Sequence, residues 1–247
     1  MNHFHCISLF GTELFGFLNK GLVKKALQNK LFSITIHDLR EFGIGTHKKV
    51  DDYPFSSKEG MLLRADVVYK AVTSIEDYDK KRIIYTCPKG KMLNQTLSRQ
   101  IYQSNQDIIF ISGYYEGIDE RIFDVLPIER LSIGDYIVNN GDSAVAVILE
   151  TIIRQIPGVL GNQKCIDNES HVNTLLESPQ YTKPVQFKNK SVPDILRSGH
   201  HGKIKSYKEK KALKETLLKR PDLLNHYPFS KKEKTMLTEI LKEMVVK

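Results

Sequence analysis

Ile108-Ile-Phe-Ile-Ser112 is a short apolar run with the length of a buried strand, and Gly113 follows it directly. Comparable runs precede it at Phe4–Phe10, Phe32–Ile36 and Arg82–Thr86. Segments of helical length and helical apolar spacing lie between them, at Leu14–Leu31, Ala65–Tyr78 and Leu93–Tyr102. Strands that alternate with helices predict an α/β domain built on a parallel or mostly parallel sheet.

The next segment combines a turn with an apolar helix. Ser132-Ile-Gly-Asp-Tyr136, together with Gly141, is typical of a strand-to-turn connection in which glycine lets another backbone approach closely. Asp142 is suited to cap the N-terminus of a largely apolar helix that runs to Ile156. Pro157-Gly158 is expected to end this helix.

The C-terminal part of the chain has a different pattern. Residues 161–180 are polar and lack clear periodicity, which indicates a linker. Ser206-Tyr-Lys-Glu209 and Ser230-Lys-Lys-Glu233 have the spacing of a capping box, so each is expected to open a helix. On the last helix the apolar residues are expected on one face: Met236, Leu237, Ile240, Leu241, Met244 and Val245. The expected organisation is an α/β domain over 1–160, a linker, and a small helical domain over 181–247.

The basic charge of this 247-residue chain, +8 in total, is concentrated at its C-terminal end. Residues 181–247 contain 17 Lys and Arg against 7 Asp and Glu, a net of +10, whereas residues 1–180 contain 20 and 22, a net of −2. A polyanion partner such as RNA explains this asymmetry, because each phosphate contact by Lys or Arg releases condensed counterions. A solvated, lysine-rich helical surface is the alternative explanation of the charge alone.

Several other classes of protein are disfavoured by the sequence. The longest aliphatic run, Ala144–Leu149, is too short to cross a bilayer, and no secretory signal pattern opens the chain, so a cytoplasmic protein is expected. The three cysteines form no CxxC pair, which argues against a disulfide framework and a thiolate zinc site. The sequence has no GxxxxGK[ST], GxGxxG, HExxH or GxSxG motif, and His200-His201 is more typical of polar contacts than of a metal site.

An ordered set of short motifs carries a specific resemblance. The motifs are Val50-Asp-Asp-Tyr-Pro-Phe55, Gly60-Met-Leu62, Pro88-Lys-Gly90, Gly113-Tyr-Tyr-Glu-Gly-Ile-Asp-Glu-Arg121, Ser132-Ile-Gly-Asp-Tyr136, Arg154-Gln-Ile-Pro-Gly-Val-Leu-Gly161, Tyr181-Thr-Lys-Pro184, Val192-Pro193, Ser198-Gly-His-His201 and Arg220-Pro-Asp-Leu-Leu224. In this order they resemble the TrmD family of bacterial tRNA methyltransferases, over nearly the whole chain. A single tetrapeptide of this kind is weak evidence, whereas the ordered set is close to diagnostic.

The resemblance implies a fold, an assembly and a methyl donor. The fold is a SPOUT-class α/β domain whose chain threads a deep trefoil knot, and the assembly is a homodimer with active sites at the subunit interface. The methyl donor is S-adenosyl-L-methionine (SAM), which carries no phosphate and therefore needs no glycine-rich phosphate cradle. The residues that correspond to the SAM-binding loops are Pro88, Gly113, Glu116, Ile133, Gly134, Asp135, Tyr136, Ile137, Val138 and Gly141.

The implied reaction is methylation of N(1) of the guanosine at tRNA position 37, immediately 3′ to the anticodon. The N(1) proton must be removed, and the family's Asp-Ser pair aligns with Glu169-Ser170, so Glu169 is expected to be the general base. Negative charge develops on O6, and Arg154 matches the family arginine that stabilises it. Without the family, Glu169 is a solvated linker carboxylate and Arg154 a charge that complements a helix C-terminus.

The implied partner is the anticodon arm of tRNA, from which the target guanine must be exposed. Ser198 and His201 match the family loop that approaches this arm. The basic tail is expected to supply phosphate contacts, and the lysines named for this role are Lys203, Lys205, Lys208, Lys210 and Lys211. Asp51 is also assigned to RNA binding.

Family behaviour raises Mg²⁺ as a further requirement of the reaction, although no sequence feature fixes a metal site. Asp51, Asp52 and Glu120 are the available carboxylates. Structural salt bridges are the expected role of these three side chains.

The chain departs from the family pattern at four places. Phe55-Ser-Ser-Lys-Glu59 stands where the family usually has glycines, Tyr114 stands for Arg, Asn139-Asn-Gly-Asp142 stands for Ser-Gly-Gly-Glu, and Gly199-His-His201 stands for Gly-Asn-His. The loss of glycines near the SAM loops motivates a second hypothesis. In it, the chain is a catalytically weakened paralogue that binds tRNA without efficient methyl transfer.

Overall fold

The computed structural model describes residues 2–55, 59–161, 166 and 169–245. The chain forms two compact units, Met1–Gln163 and Lys164–Lys247. Within the described ranges, no helix combines the length and the hydropathy that a bilayer crossing requires.

A five-stranded sheet forms the centre of the first unit, with the strand order β2-β1-β6-β5-β7 and every neighbouring pair parallel. Its strands are β1 (Asn2–Ser8), β2 (Phe32–Asp38), β5 (Arg82–Met92), β6 (Ile108–Ile111) and β7 (Ile128–Ser132). Two short strands, β3 (Asp51–Asp52) and β4 (Leu62–Leu63), form a separate antiparallel pair. The predicted α/β class is confirmed, and β7 is a strand that the apolar pattern of the sequence did not predict.

Helices cover both faces of this sheet because its strands bury side chains on both sides. One core contains Phe4, Ile84 and Phe110 from the sheet, packed against α1 (Gly11–Leu18), α4 (Gln95–Gln103) and α6 (Gly141–Ile153). The other contains Ile7, Ile83 and Ile109, packed against α3 (Ala65–Thr73) and the short α5 (Ile122–Val125). Residues of opposite parity on each strand therefore enter opposite cores.

The helix predictions for the first unit need correction in their bounds and in one cap. The segment Leu14–Leu31 forms two helices, α1 and α2 (Gly21–Gln28), because the chain turns at Gly21, whose φ is +53°. Asn140, and not Asp142, caps α6: its side chain accepts a hydrogen bond from the Ser143 amide at 3.4 Å. The helix α6 also ends at Ile153 rather than Ile156. The helix α3 begins at Ala65 as expected but ends five residues early, and α4 begins two residues and ends one residue later than expected.

The second unit contains a hairpin and two long helices. The hairpin is formed by β8 (Gln186–Phe187) and β9 (Lys190–Ser191), and the helices are α7 (His201–Lys219) and α8 (Lys231–Val245). Leu213 of α7 packs with Met236 and Ile240 of α8.

One of the two predicted capping boxes forms. Ser230 and Glu233 exchange hydrogen bonds at the start of α8, with the Ser230 amide 2.8 Å from Glu233 Oε2 and the Glu233 amide 3.3 Å from Ser230 Oγ. The prediction at Ser206 was wrong because α7 already begins at His201 and continues through it. The helix predicted at the C-terminal end forms as α8, and of the apolar residues predicted to share one of its faces, Met236 and Ile240 are buried whereas Leu241, Met244 and Val245 are exposed.

Three histidine rings lie in a row across β1 and β2. The ring centroids of His3 and His5 are 4.0 Å apart, and those of His5 and His37 are 5.3 Å apart. His5 Nδ1 lies 3.1 Å from His37 Nε2, which is hydrogen-bonding distance. Burial, reinforced by His3, His37 and Lys81 and opposed by Asp107, lowers the pKa of His5 from 6.5 to about 4, and burial also lowers the pKa of His37.

We expect acid to destabilise the first unit through these histidines. Since the pKa of His5 falls from 6.5 to about 4 on folding, the unfolded chain binds more protons between these values, and stability is lost as the pH falls through this window. His5→Gln should therefore take up about one proton fewer on unfolding. Urea unfolding between pH 7 and pH 4 measures this slope, with exposed His47→Gln as the control. Identical slopes for wild type and His5→Gln would contradict the expectation.

Candidate active site

A cavity of about 380 Å³ lies at the carboxyl edge of the sheet, beside the ends of β5, β6 and β7. Ligand sites of parallel α/β sheets form at this edge because the loops that leave neighbouring strands meet there. Three segments line the cavity: residues 85–89 of β5, the loop 113–118 after β6, and the loop 131–141 between β7 and α6.

The first lining segment leaves the regular ladder of β5. Thr86 and Lys91 both pair with Leu131 of β7, so residues 87–90 bulge out of the strand pairing. Gly90 packs directly on the neighbouring strand, where an added Cβ would lie 2.4 Å from the Leu131 amide nitrogen. This bulge carries Pro88 to the wall of the cavity.

The second and third lining segments are joined through two glycines. The Gly141 amide donates a hydrogen bond to the Gly113 carbonyl at 2.6 Å. A Cβ at position 141 would lie 2.3 Å from the Gly113 nitrogen and 2.6 Å from Thr86 Oγ1, so any side chain there would force the loops apart. The close backbone approach predicted for Gly141 is therefore a feature of the structure.

Nine of the ten residues assigned to SAM binding meet at this cavity. They are Pro88, Gly113, Glu116, Ile133, Gly134, Tyr136, Ile137, Val138 and Gly141. Asp135 is exposed and is not among the lining residues. Ile137 is 79% exposed, so this lining residue presents an apolar side chain to solvent.

Arg130, Phe123 and Tyr85 also line the cavity, and the sequence did not single them out. Arg130 forms an ion pair with Glu120, and its guanidinium carbon lies 3.7 Å from the centroid of the Phe123 ring. Burial raises the pKa of Tyr85, which also lines the wall. Glu120 and Arg121 belong to a motif that the sequence singled out, but the contacts of Arg130 and Phe123 depend on the fold.

Two of the three carboxylates considered for Mg²⁺ form ion pairs with basic side chains. Asp52 forms ion pairs with Lys49 at 2.9 Å and Arg64 at 3.3 Å, and Glu120 pairs with Arg130. The pKa of Tyr115 is raised mainly by burial and secondly by the nearby carboxylate of Asp51. Among the residues that the structure describes, no three His, Cys, Asp or Glu side chains form a group able to hold a metal ion.

A larger groove of about 1020 Å³ runs along α3 on the same unit. Its charged side chains pair within the groove, since Arg64 contacts Asp66 at 3.0 Å and Arg121 contacts Asp119 at 2.6 Å. The smaller cavity remains the candidate active site because it lies at the strand ends and collects the residues of the sequence motifs.

The two expected catalytic residues belong to different units. Arg154 is the C-cap of α6 and is half-buried, with its amide 3.2 Å from the Glu150 carbonyl. Glu169 is half-buried in a bend, where its amide donates to the Ile166 carbonyl at 3.2 Å. The adjacent Ser170 hydroxyl accepts a hydrogen bond from the Glu177 amide at 3.0 Å.

The expected RNA-contact residues of the second unit cluster at the start of α7. Ser198 Oγ donates to the Ile195 carbonyl at 2.8 Å and accepts from the His200 amide at 3.3 Å, which shapes the turn before the helix. His201, Lys203 and Lys208 are exposed on the first turns of α7.

Another lysine of this helix has a structural role. Lys210 bridges α7 and α8 through ion pairs with Glu239 at 2.7 Å and Glu243 at 3.0 Å. The basic charge of the second unit is therefore shared between exposed lysines and contacts that join the helices.

The sequence was also compared with known proteins. The sequence model of the family described as tRNA (guanine-1)-methyltransferase TrmD matches residues 2–226. The tRNA (guanine-N(1)-)-methyltransferase of Listeria innocua serovar 6a is 39% identical over 236 residues, which cover 94% of this chain and 96% of that protein. The protein of the same name from Staphylococcus carnosus is 37% identical over 241 residues, or 98% of each chain. The chain therefore belongs to the TrmD family of tRNA methyltransferases.

Proposed function

We propose that this protein transfers the methyl group of SAM to N(1) of the guanosine at tRNA position 37. The observation that carries the proposal is the coincidence of the family match with the cavity at the carboxyl edge of the sheet, where nine motif residues meet. The competing hypothesis is a paralogue that binds tRNA without efficient methyl transfer, and no contact among the described residues favours it.

SAM fits the chemistry of the cavity walls. It carries no phosphate and so needs no phosphate cradle, and the close contact of Gly113 with Gly141 brings the backbones of two lining loops together at the cavity wall. Ile137 and Val138 provide apolar surface beside them, and Glu116 provides a carboxylate suited to a cation. When bound, SAM supplies an electrophilic methyl group on a sulfonium.

Two side chains act on the guanine. The Glu169 carboxylate would accept the N(1) proton, so that N(1) could bond to the methyl group that bound SAM would supply. The Arg154 guanidinium stabilises the negative charge that the departing proton leaves on O6. The longer arm of Glu, relative to the family's Asp, requires a compensating adjustment in the placement of the carboxylate.

The proposal extends to the substrate contacts and the assembly. Ser198, His201, Lys203 and Lys208 bind the anticodon arm, with the lysines at its phosphates, and Asp51 contacts the RNA from the first unit. The chain acts in the cytoplasm as a homodimer with a trefoil-knotted, SPOUT-type SAM domain, and Mg²⁺ assists the reaction. Family membership supports these statements.

Methyl transfer can be tested directly with purified protein, labelled SAM and unmodified tRNA that carries guanosine at positions 36 and 37. We expect label in 1-methylguanosine at position 37, and none in a tRNA with adenosine there, because only guanine offers an N(1) proton to a base. Repeating the assay with EDTA and then with added Mg²⁺ tests the metal requirement. Intact tRNA binding without methyl transfer would establish the weakened paralogue instead.

Glu169→Gln should lower kcat by about 10²–10⁴-fold, because the amide cannot accept the N(1) proton. SAM affinity, measured by calorimetry, should change by less than about threefold, since the substitution preserves the size of the side chain. Glu169→Asp should retain most of the activity, and exposed Glu177→Gln is the control in the same unit. If Glu169→Gln turns over as fast as wild type, another group removes the proton.

Arg154→Ala should lower the single-turnover rate of methyl transfer by about 10²–10³-fold, because the O6 charge loses its guanidinium. Arg154→Lys should recover only part of this loss, since an ammonium lacks the planar fork. Filter binding of tRNA to the same variants separates the two roles. A large loss of tRNA affinity with an unchanged chemical rate would assign Arg154 to binding.

A further inference from the structure

A buried polar cluster joins three elements behind the cavity. Ser8 ends β1, Tyr114 follows β6, and Asp142 lies in the first turn of α6. The Tyr114 hydroxyl donates a hydrogen bond to Asp142 Oδ2, and the Ser8 hydroxyl donates to the same oxygen at 3.1 Å. The hydroxyl oxygens of Ser8 and Tyr114 are 3.2 Å apart. The exposed fractions of these residues are 1%, 6% and 4%, in the order of the chain, so the cluster is buried from bulk solvent.

The cluster satisfies a buried carboxylate through one of its two oxygens. Asp142 Oδ1 is fully buried and has no hydrogen-bond partner among the residues that the structure describes. The hydroxyls of Tyr114 and Ser8, together with the positive end of α6, are what stabilise this side chain. Burial, followed by the hydrogen bond to Asp142, raises the pKa of Tyr114, so its hydroxyl remains a donor.

The same residues are connected to the cavity wall. Tyr114 lines the cavity itself, and its ring packs against Phe10 with the centroids 5.5 Å apart. Each of Tyr114 and Asp142 is the immediate neighbour of a glycine, Gly113 or Gly141, in the backbone contact that joins the two lining loops. Movement of the Tyr114–Asp142 pair would therefore shift both loops.

Two departures from the family sequence pattern coincide in this contact. The chain has a phenol at position 114 where the family has an Arg, and an Asp at 142 where the family has a Glu. Considered separately, Tyr114 lacks the positive charge of the family's Arg, and Asp142 has a shorter side chain than the family's Glu. In the structure the two side chains contact each other, and the neutral hydroxyl of Tyr114 donates a hydrogen bond to the carboxylate of Asp142.

We propose that Tyr114 and Asp142 form a coupled positioning pair that holds the two lining loops in the geometry that binds SAM. Ser8 completes the pair as a second donor. This inference rests on the proposed function, because it assigns the pair to the affinity for the methyl donor. Neither residue is assigned to the chemical step.

The test is a double-mutant cycle with Tyr114→Phe, Asp142→Asn and the double variant, in methyl-transfer assays at saturating tRNA. Tyr114→Phe leaves the buried carboxylate short of a donor, and we expect KM for SAM to rise by about tenfold or more while kcat stays within about twofold. The double variant should return to within about threefold of wild type, because the neutral amide no longer needs the phenol. Val72→Ala, in the core under α3, is the control for a loss of stability alone.

The outcomes separate the possible roles. If Tyr114→Phe lowers Tm as much as Val72→Ala and leaves KM for SAM unchanged, the pair is structural and the inference is wrong. Additive effects in the double variant would show that the two residues are not coupled. If Tyr114→Phe does not fold, Ser8→Ala replaces it, with a rise of about threefold expected in KM for SAM and an unchanged KM overturning the proposal. Failure of the proposed function would be distinct, because wild type itself would then transfer no methyl group.

Discussion

The candidate site depends on one close contact between two backbones. The Gly141 amide reaches the Gly113 carbonyl at 2.6 Å, and this contact holds the start of α6 against the end of β6. A Cβ at position 141 would lie 2.3 Å from the Gly113 nitrogen, so the contact excludes every residue except glycine. The cavity, the lining loops and the buried Tyr114–Asp142 pair are all arranged around it.

The two units contribute different chemistry to the proposed reaction. In that proposal, the cavity and Arg154 are assigned to the first unit, and Glu169 and the exposed lysines of α7 to the second. A methyl donor and a polyanionic substrate make different demands on a protein surface. The donor needs a shaped, partly apolar cavity, and the RNA needs exposed positive charge. The uneven charge of the sequence reflects this division.

Local sequence signals succeeded where the determining interaction is local. The capping box at Ser230 forms because its two members lie within one turn. The same spacing at Ser206 has no such role, because α7 starts earlier, at His201, and a helix interior leaves no free amide to cap. The break between α1 and α2 at Gly21 was not predicted, because the helical spacing of apolar residues continues across the turn.

The sequence alone determined the α/β class, the family and nine residues of the cavity wall, because apolar periodicity and ordered motifs are properties of the chain itself. Only the tertiary structure decided that the donor of Tyr114 meets the acceptor of Asp142 and that Arg130 pairs with Glu120. It also decided that residues 87–90 bulge from β5. Each of these contacts joins residues of different strands, helices or loops, and a buried polar group finds its partner only when the elements that carry it are packed.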